Sequence, residues 1–274
     1  MTTIRLLRVA LLAASAAAGC GDDSSNSPDA STDSGTDSDT DTDTDTDTDA
    51  DTDTDTDTDT NIDTECFEGD FTVEDAADVA ALAPYTCING SLTVTAPGLT
   101  SVDLPNLVSI AGYLAIIGND ALTSADGLSA LTSLGSGLEV ADNAVLTSVD
   151  ALSTIIYLDG LTIYSNPALS SLDLSALATV AGSVTISDDD SLSNVDGLSG
   201  LASVGWLLSI TSNGSLTNLD GLGALTSVGG PLEICNNQQL PQCEVCDLLD
   251  QLLDFSGAFA SYGNEADTCS DPCS

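Results

Sequence analysis

Basic side chains are almost missing from this sequence. Of 274 residues two are Lys or Arg, none is His and 44 are Asp or Glu, for a formal net charge of −42 at pH 7. Nucleic acid is held through Lys and Arg contacts to phosphate, so no nucleic-acid partner is expected, and anionic headgroups are excluded on the same ground. No His base, Schiff-base Lys, Ser/His/Asp triad or Arg clamp can be assembled, which leaves carboxylates, hydroxyls, amides and thiols as the available chemistry. A long apolar run is also missing at the start of the chain. The stretch from Val9 to Ala18 is too short to cross a bilayer.

That stretch follows Arg5 and Arg8 and ends in Ala17, Ala18, Gly19 and Cys20, the layout of a secretory signal peptide over residues 1–19. Its end resembles the lipobox of bacterial lipoproteins, which implies that Cys20 becomes the acylated first residue of the mature chain. Each buried methylene contributes ~0.8 kcal/mol, so two or more acyl chains on one residue form a stable membrane anchor. The implied location is the bacterial cell envelope, as an outer-membrane lipoprotein displayed at the cell surface. Residues 20–65 then form a tether of Asp, Ser and Thr that alternates Asp with Thr from Asp41 to Thr60, Ala50 excepted. Such a segment cannot bury enough surface to offset its ordering entropy and is expected to be disordered. At ~3.5 Å per residue it reaches on the order of 150 Å. The Ca²⁺ loop pattern DxDxDG needs a Gly that this run lacks, so the segment reads as a solvated stalk.

From Cys66 the pattern changes to internal repeats. Apolar pairs recur at Leu92/Val94, Leu114/Ile116, Leu138/Val140, Leu161/Ile163, Val184/Ile186, Leu208/Ile210 and Leu232/Ile234, 22 to 24 residues apart. Further apolar residues follow each of the first six pairs at intervals of mostly three, as at Leu216, Leu219, Leu222, Leu225 and Val228. Neither an α-helix nor a strand has that period. A chain that turns repeated corners around one narrow core does, so the expected fold is mostly β, a solenoid of about seven to eight coils. Coils spaced about 4.8 Å apart would make a rod or arc of roughly 35 to 40 Å.

Two polar columns accompany the apolar ones. Asn119, Asn143, Asn166, Asn213 and Asn237, with Asp189 in the same register, read as a structural column in which buried side chains satisfy backbone groups left open at a turn. Asp103, Asp126, Asp150, Asp173, Asp196 and Asp220 read as corner residues that accept backbone N–H bonds from the residues after them. Stacked carboxylates repel, so Ca²⁺ bridging is the alternative for this column. No other metal and no cofactor is expected.

The ends of the stack need covers, and cysteines gather there. A short helix is expected from Val73 to Leu82, between Cys66 and Cys87, and export makes that pair a disulfide. Cys235, Cys243, Cys246, Cys269 and Cys273 surround a helical "EVCDLLDQLLD" and a last strand near Phe259. The pairing adopted is Cys243 with Cys269 and Cys235 with Cys246, leaving Cys273 free or intermolecular. Zn²⁺ or redox chemistry at the CxxC is not favoured in an exported chain without His.

The helix, "CINGSLTV" from Cys87 to Val94 and the repeated "LxIxxNxxLxxL", as in "LSITSNGSLTNL" from Leu208 to Leu219, resemble the receptor L domain family. These are right-handed, leucine-rich-repeat-like β-helices found in insulin and epidermal growth factor receptors and in bacterial and fungal surface proteins. The likeness spans Cys66 to Cys269 and implies a non-catalytic recognition surface. This chain lacks the basic residues, the spanning helix and the cytoplasmic domain of the receptors, so signalling in their manner is not implied. The function expected is a lipid-anchored recognition or adhesion module that binds a protein or a glycan through its repeat surface. Tyr113, Tyr164 and Trp206 are the candidate contacts, next to outward Thr93, Ala115, Glu139, Thr162, Thr185, Ser209 and Glu233. The alternatives are a structural spacer or coat component, or a polysaccharide hydrolase that uses Asp188 and Asp190 of "DDDS".

Overall fold

Each apolar pair in the sequence is a strand, and each strand lies parallel to its counterpart in the next repeat. The structure, a computed structural model, describes residues 66–265; the signal segment, Cys20, the tether, Cys269 and Cys273 lie outside the described residues. Nine strands form the longest sheet: Phe71–Val73, Leu92–Val94, Leu114–Ile117, Gly137–Ala141, Gly160–Tyr164, Val184–Ser187, Leu208–Thr211, Leu232–Cys235 and Phe259–Tyr262. Their register places Leu92 opposite Leu114, Leu114 opposite Leu138 and so on to Leu232 opposite Phe259. Between these strands the chain makes short pairs that form a four-stranded sheet from Cys66–Glu68 to Ser133–Leu134 and a five-stranded sheet from Tyr157–Leu158 to Asp254–Phe255. The Asp159 amide donates to the Ser136 carbonyl at 2.7 Å across the gap between those two sheets. The fold is therefore mostly β, built of open parallel sheets with few helices.

The triplet-spaced residues line one continuous core. Leu216, Leu222, Leu225 and Val228 are wholly buried, and Leu219 nearly so. Leu122, Leu146, Leu169, Leu192 and Leu216 repeat the same burial from copy to copy. Burying one such side chain contributes about 1.5–3 kcal/mol, so the core is made of many equal increments. Between apolar positions the chain uses 3₁₀ turns at Asp126–Leu128, Asp150–Leu152, Asp196–Leu198 and Asp220–Leu222. A turn with three residues per cycle returns to the core every third position, which is the period seen in the sequence.

The start of the helix and the number of rungs are corrected. Phe71–Val73 is a strand paired with Leu92–Val94, so Val73 is not helical and the helix, α1, runs Ala76–Leu82. A capping box fixes that start: Asp75 accepts from the amides of Ala77 and Asp78, while Asp78 accepts from the amide of Asp75. Adding Phe71–Val73 and Phe259–Tyr262 makes nine rungs in the long sheet rather than seven to eight. The Cys66–Cys87 disulfide is present, with the two residues opposite each other in parallel register and Cα atoms 4.4 Å apart. Phe67 packs edge-on against both Phe71 and Tyr85 beside it.

At the far end α2, Gln242–Gln251, buries Val245, Cys246 and Leu248. The Gln251 side-chain amide donates to the carbonyls of Leu222 and Leu225, tying α2 to the preceding repeat. Of the cysteine pairing expected there, Cys235 with Cys246 is corrected, while Cys243 with Cys269 reaches outside the described residues. Cys243 and Cys246 are both disulfide-bonded, whereas Cys235 is a buried free thiol. Cys235 ends a strand of the long sheet opposite Thr211 and Tyr262, and its Sγ faces the Ala260 carbonyl at 3.5 Å.

Candidate functional site

The polar column expected to be structural is a ladder of buried amides. The Asn119 main-chain N–H and Nδ2 both donate to Oδ1 of Asn143, and those of Asn143 donate to Oδ1 of Asn166. Each Nδ2 also reaches back to a strand carbonyl of the preceding repeat: Asn119 to Val94, Asn143 to Ile116, Asn166 to Val140, Asn213 to Ile186 and Asn237 to Ile210. Asn264 extends the series to Ile234, a member not read from the sequence because its strand lacks the Leu/Ile pair. Asn119, Asn143, Asn166, Asp189, Asn213 and Asn237 are all wholly buried. The residue before each column member has a positive φ: Gly118, Asp142, Ser165, Asp188, Ser212, Asn236 and Gly263. That conformation turns the chain sharply after each strand and delivers the column side chain inward.

The Asp column behaves differently from its expected role. Asp126, Asp150, Asp196 and Asp220 open 3₁₀ turns, yet the residue before each makes no side-chain cap bond. The amides of Asp150, Asp196 and Asp220 instead donate to the side-chain oxygens two residues earlier, on Ser148, Asn194 and Asn218. Asp173 alone follows the expected pattern and accepts from Ser175 N–H at 3.0 Å. Its repeat has no 3₁₀ turn at this corner, and a hollow of about 400 Å³ lies there between Ser170, Ser171, Asp173, Ser175, Asn194 and Asp196. Much of the hollow's polar lining is already engaged: Ser171 Oγ donates to Asp150, Ser170 Oγ to the Thr147 carbonyl, and Asn194 accepts from Asp196.

The residues expected to point outward from the long sheet form a continuous column, although Ser209 is buried within it. Thr93, Ala115, Glu139, Thr162, Thr185, Ser209 and Glu233 stand opposite one another in sequence along the rungs. Near its middle, Glu139 pairs with Thr162, and Tyr164 lies two residues farther along the same face, opposite the buried Ala141. Burial and the neighbouring Asp142 push the Glu139 carboxyl above its ordinary range. Burial, with Glu139 and Asp142 beside it, pushes the Tyr164 phenol up as well. The sheet thus brings a half-buried carboxyl and phenol together among Thr hydroxyls, with the exposed Asp142 carboxylate in the turn beside them. Such a set can accept hydrogen bonds from ligand hydroxyls and amides while the ring offers an apolar face.

Tyr113 and Trp206 are placed differently from Tyr164. Both precede strands of the long sheet, four rungs apart, whereas Tyr164 ends a strand. Each is more than half exposed and lies over a glycine of the next repeat, Tyr113 over Gly137 and Trp206 over Gly230. Glu139 was read from the sequence as an outward residue but not as a neighbour of Tyr164, and Asp142 was missed altogether. Their signal was register, since the residue opposite Thr162 is fixed once the repeats are aligned. Among the described residues no group of three or more acids or cysteines is arranged to hold a metal ion, and no helix is long and apolar enough to cross a membrane. The chain matches no protein-family model and no curated protein.

Proposed function

We propose that this chain is a lipid-anchored, non-catalytic recognition or adhesion module of the bacterial cell surface, and that it binds a protein or glycan through the outer face of its nine-stranded sheet. In this reading Cys20 carries the acyl anchor, the Asp/Thr segment is the tether, and the repeats wind as a right-handed β-helix of the receptor L type. The solenoid reading is supported by the regular parallel register, by the second series of short strands between the long ones and by the buried amide ladder. One observation carries the functional reading: the patch of Glu139 and Tyr164 among outward threonines and beside the exposed Asp142, where partial burial of the first two has already removed some of the water a ligand would have to displace.

The test is retention of the full chain on immobilised glycans and on envelope proteins at low salt and at about 1 M salt, where the screening length is about 3 Å. A recognition module keeps one partner at high salt and loses it when Glu139 and Tyr164 are both replaced by Ala. Loss of every interaction on screening, or retention unchanged by the double replacement, overturns this assignment.

A further inference from the structure

One rung of the amide ladder is a carboxyl, and its surroundings differ from those of every other rung. Asp189 Oδ1 takes the place of an amide oxygen, accepting from the Asn166 main-chain N–H at 2.8 Å and from its Nδ2 at 3.1 Å. Asp189 Oδ2 takes the place of the amide nitrogen and is buried without a hydrogen-bond partner. The carbonyls served by ladder nitrogens are Val94, Ile116, Val140, Ile186, Ile210 and Ile234. In register, the one member missing from that series is Ile163, which lies between Val140 and Ile186. An ionised carboxylate presents only acceptors, so at this rung an acceptor oxygen occupies the position from which a donor serves a carbonyl. A protonated carboxyl presents one donor and restores the pattern.

We propose that Asp189 is a proton-binding site at the centre of the repeats, carrying its proton on Oδ2 and donating it to the Ile163 carbonyl, so that loss of this proton loosens the junction between the flanking repeats. The groups bearing on it are all neutral or acidic. Asp188 and Asp190 flank it in the chain, and both raise its affinity for a proton. Asn166 and Asn213 lie on either side in the ladder and carry no charge. Tyr164 ends the strand of the preceding repeat opposite Ser187, and its phenol is itself held neutral by burial and by Glu139 and Asp142. The only cations of the chain, Arg5 and Arg8, lie outside the described residues. Burial, the largest influence, moves the Asp189 carboxyl up to about 7, although the Asn166 bonds pull it down.

The sign follows from linkage. The folded chain binds this proton more tightly than the unfolded chain, whose Asp titrates near about 3.9. The advantage of folding is therefore complete below that value. Between it and the folded value the folding equilibrium constant falls up to about tenfold per pH unit from this group. Above the folded value the loss is complete.

The experiment is urea unfolding of the full chain and of its Asp189→Asn variant between about pH 5 and about pH 8.5. The proposal expects the variant to lose a tenfold-per-unit component of the pH dependence and to be the more stable protein at the alkaline end, because an amide there can donate to Ile163 in either condition. Equal pH slopes in the two proteins, or a variant less stable at every pH, overturn it. A second reading does not depend on the variant folding: the side-chain carboxyl carbon of Asp189, followed by NMR in the unaltered chain, should titrate near neutrality, and a midpoint in the ordinary carboxylate range overturns the proposal.

Discussion

Asn143 makes contacts in both directions along the stack. It accepts from the N–H and the side chain of Asn119, donates to the Ile116 carbonyl and donates to Asn166. Asn143→Ala leaves several buried polar groups without partners, each costing about 1–3 kcal/mol, so a loss of about 3 kcal/mol or more is expected in the urea-unfolding free energy. The residues before the column make a contrasting case. Ser212 is left-handed at φ 59°, a conformation that costs a non-Gly residue roughly 1–2 kcal/mol. Ser212→Gly is expected to raise stability by about 0.5 kcal/mol, and Ser212→Val to lower it by more than 1 kcal/mol, both read as shifts in the urea midpoint. The column itself was legible in the sequence because Asn recurs at a fixed offset from each apolar pair. The sequence also shows a carboxyl at position 189, but not that one of its oxygens would be sealed from water. That depends on how closely the adjacent repeats approach.

At the scale of single elements, the 3₁₀ corners show how near that approach is. A methyl group at Gly221 would collide with the Val195 carbonyl, and one at Gly197 with the Leu172 carbonyl. The corresponding turn at Asp150–Leu152 carries Ala151 in place of a glycine. Gly221→Ala is therefore expected to cost about 1–3 kcal/mol as an overpacking change, while Ala151→Gly costs less than about 1 kcal/mol; parallel denaturation curves separate the two. Hydroxyls reinforce these corners, with Thr147 donating to the Thr123 carbonyl and Thr217 to the Ser193 carbonyl. The abundance of Ser and Thr thus has a partial cause that the apolar period did not disclose. The element ends were the least legible part. Val73 reads as the start of a helix until Leu92–Val94 supplies a partner strand, and Cys235 reads as a disulfide half until its Sγ is seen to face Ala260. On denaturation, thiol titration should count one more reactive group in the unaltered chain than in Cys235→Ala, and that group should stay unreactive while the protein is folded.

For the whole molecule, charge of one sign and a sheet of uniform direction set the behaviour. With 44 acids and two bases, the compact state repels itself, and added salt screens that repulsion. The thermal midpoint at neutral pH is expected to rise as NaCl is added, the reverse of a fold held by surface ion pairs. Glu139 acts in the same direction as Asp189: its raised folded value contributes stability that is complete below the ordinary carboxylate range and is lost as pH rises through the folded value. Glu139→Gln should flatten that part of the stability curve. The direction of the strands and the position of the core could be read from the repeat spacing alone, because every copy pairs only with its two neighbours. Where a partner docks could not, since Glu139, Asp142 and Tyr164 belong to two different repeats and meet only after the register is set. The disulfide has a mechanical meaning as well. A pull applied from the N-terminal side meets Cys66 first among the described residues, and the bond to Cys87, 21 residues on, carries that load past the first helix and strands into the second rung. Stretched in reducing conditions, the protein should surrender an extra length of about 70 Å at its base, at ~3.5 Å per residue; oxidised, that slack stays locked and the first yielding moves deeper into the stack.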